Sequence, residues 1–201
     1  MHSVVEPIVN PIVKPEDATV RYSIETKGST LTVRAFATGL LSTFAHSPTI
    51  AIPDFKGEVF LNPDALEKSS LRLEIDPASL IVTNDISEKD RQEINRRMHA
   101  EVLETDSFPE IVYECSRVSA GKIGEGQYSI ALSGDLTLHG ATHTQPVSAR
   151  ASLIGDLLRV TGEVSIRQSD YGIQPVSAAA GTITLKDDLK LSFDISARKQ
   201  V

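Results

Sequence analysis

The residues of this chain best suited to metal or nucleophilic chemistry are few. Two of its five histidines, His139 and His143, stand four apart in SGDLTLHGATHTQPVSARA, residues 133–151. On a helix that spacing would bring both imidazoles to one face, as in a metal-binding pair. The flanking residues alternate apolar and polar instead, which predicts a strand, a turn at Gly140 and a returning strand. At such a tip the two rings are either polar turn residues or part of a metal site, with His46 of FAHSP or His99 as a third ligand. No HExxH pattern is present, no carboxylate completes a triad, and no serine sits in GxSxG. His46 itself reads as a structural residue, as the polar end of a binding cavity or as an acid–base group. The segment GKIGEG (121–126) is a glycine-spaced hairpin turn without the helix N-terminus that cradles phosphate. Cys115 is the only cysteine, so an internal disulfide and a CxxC redox pair are excluded, and in IVYECSRV it reads as a small core residue. In RQSDYGIQP (167–175), Tyr171-Gly172 is a turn signature after a strand. Either the tyrosine plugs a corner, or Arg167, Gln168 or Tyr171 meets the polar head of a ligand.

The elements that must position these residues are mostly strands. SSLRLEIDP sets Leu71, Leu73 and Ile75 against Arg72, Glu74 and Asp76. LLRVTGEVSIRQ and DLKLSFDISAR alternate in the same way, and STLTVRAF, GEVFLN, IVYECSRV and VSARASLIG do so less cleanly. With QYSIALSGDLTLHG this makes eight one-sided strands, long and separated by short turn signals, which predicts antiparallel hairpins in a sandwich or closed barrel. Glycines inside strands, Gly134 and Gly162, favour a curved barrel. One segment differs. Residues 87–103 predict a helix capped by Ser87, with Asp90 three residues on and an apolar stripe of Ile94, Met98 and Val102. A single amphipathic helix in an all-β chain suits the covering of an opening or an edge.

The chain has 201 residues, enough for one domain with a short extension. Residues 1–17, with PIV repeated between prolines, read as an extended N-terminal arm, and residues 18–201 as the barrel domain. The net charge of −7 argues against a nucleic-acid or anionic-membrane partner, since both require a positive footprint. No apolar run is long enough for a transmembrane segment. The start, MHSVVEPIVNPIVKPED, lacks the basic and apolar regions of a signal peptide. The expected location is cytoplasmic for the sequence as written, and periplasmic if the start codon is misassigned.

Three stretches, HAEVLETDSFPEIVYECSRV, YSIALSGDLTLHGATHTQPV and IRQSDYGIQP, resemble the YceI-like, polyisoprenoid-binding family. The resemblance extends over roughly residues 20–198. It departs at ETKGS, where Gly28 stands in place of a histidine common in the family, and in the lack of the usual export leader. The resemblance implies a lipocalin-like antiparallel β-barrel that holds a long apolar chain.

The first functional expectation is therefore non-catalytic binding, storage or transfer of an isoprenoid or fatty-acid-like lipid, without a cofactor. The expected lining is Val33, Ala35, Leu73, Tyr113 and Ile130, with Leu132, Leu136, Val164, Ile166 and Phe193. His46, Arg167 and Tyr171 are the candidates for its polar end. Small residues at inward positions, such as Ala35, Gly134 and Gly162, leave room for a ligand. A barrel enzyme or metal-binding protein using His46, His139 and His143 is the alternative, and a fully packed interaction protein is the third reading. A homodimer is compatible with all three.

Overall fold

The computed structural model describes residues 19–38, 47–178 and 183–200. The N-terminal arm and His46 lie outside the described residues. Among the described residues thirteen strands run β1 (Val20–Arg34), β2 (Ala37–Thr38), β3 (Thr49–Ala51), β4 (Phe55–Leu61), β5 (Ser70–Ile75), β6 (Ile81–Val82) and β7 (Ile111–Gly124). They continue as β8 (Gln127–Leu138), β9 (Ala141–Ile154), β10 (Leu157–Arg167), β11 (Ser177–Ala178), β12 (Ile183–Leu185) and β13 (Asp188–Lys199). Eight of them close an antiparallel barrel in the order β13-β10-β9-β8-β7-β5-β4-β1, with β1 pairing back to β13. Closure removes the unpaired edges that one-sided strands would otherwise expose.

The upper end of the barrel holds the β8–β9 turn, and the lower end holds the β7–β8 and β9–β10 tips. The β8–β9 turn is two residues long, His139 at φ 50° and Gly140 at φ 75°, joining the pair Leu138↔Ala141. Two successive positive φ values make the tight turn whose twist matches a hairpin. Phe108 packs on it. A Cβ at Gly140 would lie 2.7 Å from the Phe108 ring, so glycine is required here both for its backbone and for the approach.

Near the upper end the wall splays. β3 and β4 are halves of one bent strand, for both pair with β1, and Pro53 lies in the break between them. β5 and β6 repeat this around Pro77, with β6 pairing to β3. The helix that follows, α1 (Glu88–Arg97), is the only α-helix among the described residues. Ser87 caps it, its Oγ accepting from the Asp90 N–H at 3.1 Å. Expected over 87–103, the helix instead becomes a π turn at Met98–Val102. The Leu103 N–H donates five residues back to the Met98 carbonyl at 2.9 Å. The wider turn keeps Met98 and Val102, four apart, on the side facing the barrel. Replacing Ser87 with alanine removes the cap and should cost about 1 kcal/mol, read as a lower denaturation midpoint. An unchanged midpoint would show that packing alone holds the helix.

Two irregularities reverse which residues point inward. Between Glu25 and Thr30 the β1–β13 register slips, with Gly28 at φ 92°. Tyr22 and Ile24 face in below the slip, and Leu31, Val33 and Ala35 above it. A bulge at Ser116 does the same in β7, where Cys115 pairs Gly134 but Arg117 pairs Ser133.

Candidate functional site

The barrel interior is divided. At the lower end Tyr22, Ala151, Leu158 and Ala197 are buried against Leu61, Tyr128 and Leu153, forming a packed plug. Above the plug lies a cavity of about 410 Å³ that extends to the underside of α1. Its lower boundary is set by Ile24, Val59, Val160 and Ile195. The upper boundary includes Ile94, Met98 and Val102 from the helical segment, together with Pro48, Val176 and Leu185. The helix thus covers the bore, and its apolar stripe is part of the lining.

Nine of the residues expected to line a cavity do border it: Val33, Ala35, Leu73, Tyr113 and Leu132, and further Leu136, Val164, Ile166 and Phe193. Two aromatic rings shape the bore by lying over glycines. A Cβ at Gly134 would sit 2.6 Å from Tyr113 Cζ, and one at Gly162 would sit 2.7 Å from Phe193 Cζ. The mid-strand glycines therefore make room for rings that lie across the inner face of the neighbouring strand.

The other candidates are placed elsewhere. Ile130 packs lower, between the plug and the Cys115–Leu132–Val147 cluster. Arg167 is exposed on the outer face, with Nε 3.4 Å from an Asp187 carboxylate oxygen, because β10 alternation turns it away from Ile166. Tyr171 is only 2% exposed and belongs to the packed core rather than to the cavity border. The 3-10 turn Gln168–Tyr171 ends at Gly172 with φ 70°, which folds the tyrosine inward.

The two hairpin histidines do not converge on a shared ligand. The His139 Nδ1 lies 3.2 Å from the Tyr171 carbonyl, its ring meets Phe108 at 4.3 Å, and its Nε2 is 3.8 Å from Glu104 Oε2. His143 is exposed and packs edge-on against the Tyr171 ring at 5.3 Å. Among the described residues no three His, Cys, Asp or Glu side chains gather to hold a metal.

Among the described residues, four of the cavity border carry polar side chains, and each has an internal partner. The Tyr113 hydroxyl donates to the Gln145 carbonyl at 3.1 Å. The Gln145 Nε2 donates to the carbonyls of Pro146 at 3.2 Å and Ser165 at 3.4 Å. Gln168 Nε2 donates to the Lys186 carbonyl at 2.9 Å. Arg97 Nε donates to Glu101 Oε2 at 3.0 Å. Of these, Gln168 is one of the residues expected to meet a polar head, whereas Gln145 and Arg97 are not among the expected residues. Gln145 could have been found, since it continues the inward series Ala149 and Val147. Arg97 depends on where the helix docks, which sequence does not specify.

Burial pushes the Tyr113 phenol above its ordinary value of 10.0, with the neighbouring Cys115 adding to the shift. Burial also raises Tyr22 and Tyr171, assisted by Asp156 and Asp170 respectively. A phenol raised in the folded state stays neutral while its unfolded counterpart ionises, so ionisation favours unfolding as pH climbs past 10. The tyrosine contribution to stability should therefore be level below pH 10 and fall above it. Phenolate absorbance of the native protein should lag behind that of the unfolded chain. Coincident titration curves would contradict this burial.

A profile of the YceI-like domain matches residues 18–197. The chain belongs to the YceI-like domain family. Its barrel is similar to that of Burkholderia cenocepacia BcnA, with a TM-score of 0.64 at 16% identity, covering 86% of this chain and 98% of that one. A polyisoprenoid binding domain from Saccharophagus degradans, implicated in plant cell wall breakdown, gives a TM-score of 0.64 at 15% identity, covering 89% and 98%. The Campylobacter jejuni YCEI protein gives 0.57 at 14% identity, covering 76% and 85%. A comparison with curated proteins finds no match. At these identities the solved structures establish a common fold for this YceI-like chain. No helix among its described residues is long and apolar enough to cross a membrane.

Proposed function

We propose that this YceI-like protein binds one long apolar or amphiphilic chain, isoprenoid or fatty-acid-like, and holds it for storage, sequestration or transfer without altering it. The observation that carries this reading is the composition of the cavity border. Among the described residues it is aliphatic almost throughout, and its few polar groups are already paired within the protein. Such a space offers a ligand little beyond removal of its apolar surface from water, at about 25 cal/mol per Å². A chain with polar groups along its length would lose hydration there without replacement. The plug makes the bore blind at its lower end, so an amphiphile sits tail-down with its head toward α1. The Saccharophagus degradans relative, described as polyisoprenoid binding, supports the isoprenoid class. In this reading residues 18–201 are the binding domain and residues 1–17 an arm outside it.

Native mass spectrometry before and after organic extraction tests the proposal. The expected result is a mass excess that extraction removes, or uptake of one polyprenol or fatty acid per chain by the stripped protein. Stripped protein that takes up neither would overturn it.

A further inference from the structure

The barrel wall has a gap that the strand order alone does not reveal. The β9–β10 ladder begins at Ile154↔Leu157 and stops at Ala149↔Gly162. Both strands continue upward, β9 to Ala141 on β8 alone and β10 to Arg167 on β13 alone. Between residues 141–148 and 163–167 the two strands face each other without a ladder. Pro146 lies in this stretch. The two-residue turn makes Leu138↔Ala141 a hydrogen-bonded pair, so the N–H groups of β9 directed at β10 are those of 142, 144, 146 and 148. Proline at 146 removes one of those donors, as expected of an open edge.

The Gln145 side chain stands in the gap, the Phe193 ring lies at its lower margin over the last ladder pair, and His143 packs on Tyr171 at its upper end. The Gln145 carboxamide reaches the carbonyls of both edges, Pro146 at 3.2 Å and Ser165 at 3.4 Å. Lower down, the Phe193 ring lies over Gly162, which has no side chain to screen it. Phe193 borders the main cavity and also a groove on the outer wall, formed with Ser148, Arg150, Thr161, Glu163 and Asp194. Phe193 therefore borders both the apolar bore and the outer groove, beside the last ladder pair Ala149↔Gly162.

We propose that the β9–β10 gap is the lateral route by which a long-chain ligand enters and leaves the bore, with Phe193 and Gln145 as its gate. The inference rests on the binding reading above. An apolar chain can pass sideways through the wall when one aromatic ring swings and one carboxamide releases two long hydrogen bonds. No strand pair has to separate, because the ladder is already absent.

The test is a disulfide staple, Ser148→Cys with Glu163→Cys in a Cys115→Ala background. It joins the two strands one residue above the last ladder pair, at positions outside the cavity border. The probe is cis-parinaric acid, a fluorescent long-chain fatty acid, followed by stopped flow. Oxidation should slow both uptake and release at least ~10-fold with little change in affinity, and reduction should restore them, since a gate alters both rates whereas a lost contact mainly alters release. Gln145→Ala, which needs no cross-link, should accelerate uptake and release together. Binding with rates unaffected by either change would overturn the lateral route and leave the binding reading standing. Absence of any binding by the reduced, unstapled protein would overturn both.

Discussion

Leu73→Trp should reduce affinity for a long-chain ligand by at least ~100-fold while the barrel stays folded. β5 lies four strands from β10 in either direction around the ring, so an indole at 73 projects across the bore toward Val164. A buried indole occupies about 150–250 Å² of surface. At about 25 cal/mol per Å², surface of that size denied to the ligand is worth roughly 4–6 kcal/mol, more than the ~100-fold loss requires. The cost to the fold is smaller, about 1–3 kcal/mol for overpacking at most, because the space is already there. The chain contains no tryptophan, so the new residue is also the only indole reporter. Its emission should be blue-shifted, as in a dry apolar site. Water-like emission or unchanged affinity would show that residue 73 does not face the binding space.

Tyr22→Ala should produce the largest loss of stability among single substitutions at the lower end. Tyr22 is 3% exposed and forms the plug with Leu158, Ala151 and Ala197. Truncating a buried aromatic typically costs about 3–5 kcal/mol, since the lost transfer energy adds to the cavity left behind. For a chain of this size that corresponds to a Tm lower by roughly 6–20 °C. The plug lies beneath the cavity, so the variant that remains folded at room temperature should still take up ligand. A Tm within about 2 °C of the unaltered protein would mean that the plug does not depend on this ring.

Much of the cavity border is readable from alternation. Leu132 and Leu136 in β8, and Val164 and Ile166 in β10, follow a period of two with no irregularity between them, and all four border the cavity. Ile130 obeys the same alternation and faces inward, yet it lies at plug height. Alternation specifies a face of the wall, whereas height along the bore depends on how neighbouring strands are staggered. Arg167 and Tyr171, expected with His46 at a polar end, are four residues apart in sequence. The 3-10 turn separates them, sending the tyrosine into the core and leaving the arginine with Asp187 outside. The segment ETKGS marks a departure from the family pattern, and in the fold it is where β1 reverses its inward face.

His139 and His143 illustrate the division most directly. Sequence by itself established that they stand at the tip of a hairpin between two strands, because Leu136 and Leu138 alternate with Asp135 and Thr137, and glycine follows His139. It also established the antiparallel strands, the capped helix with its apolar stripe and the mid-strand glycines, all of which are read from neighbours within a few residues, whereas the rings that lie over those glycines come from distant strands. Only the tertiary structure decided that one histidine packs beneath Phe108 and the other against Tyr171, that the bore is blind below, and that β9 and β10 part above Gly162. Those features arise where segments far apart in the chain meet, and local periodicity carries no information about which distant surfaces come together.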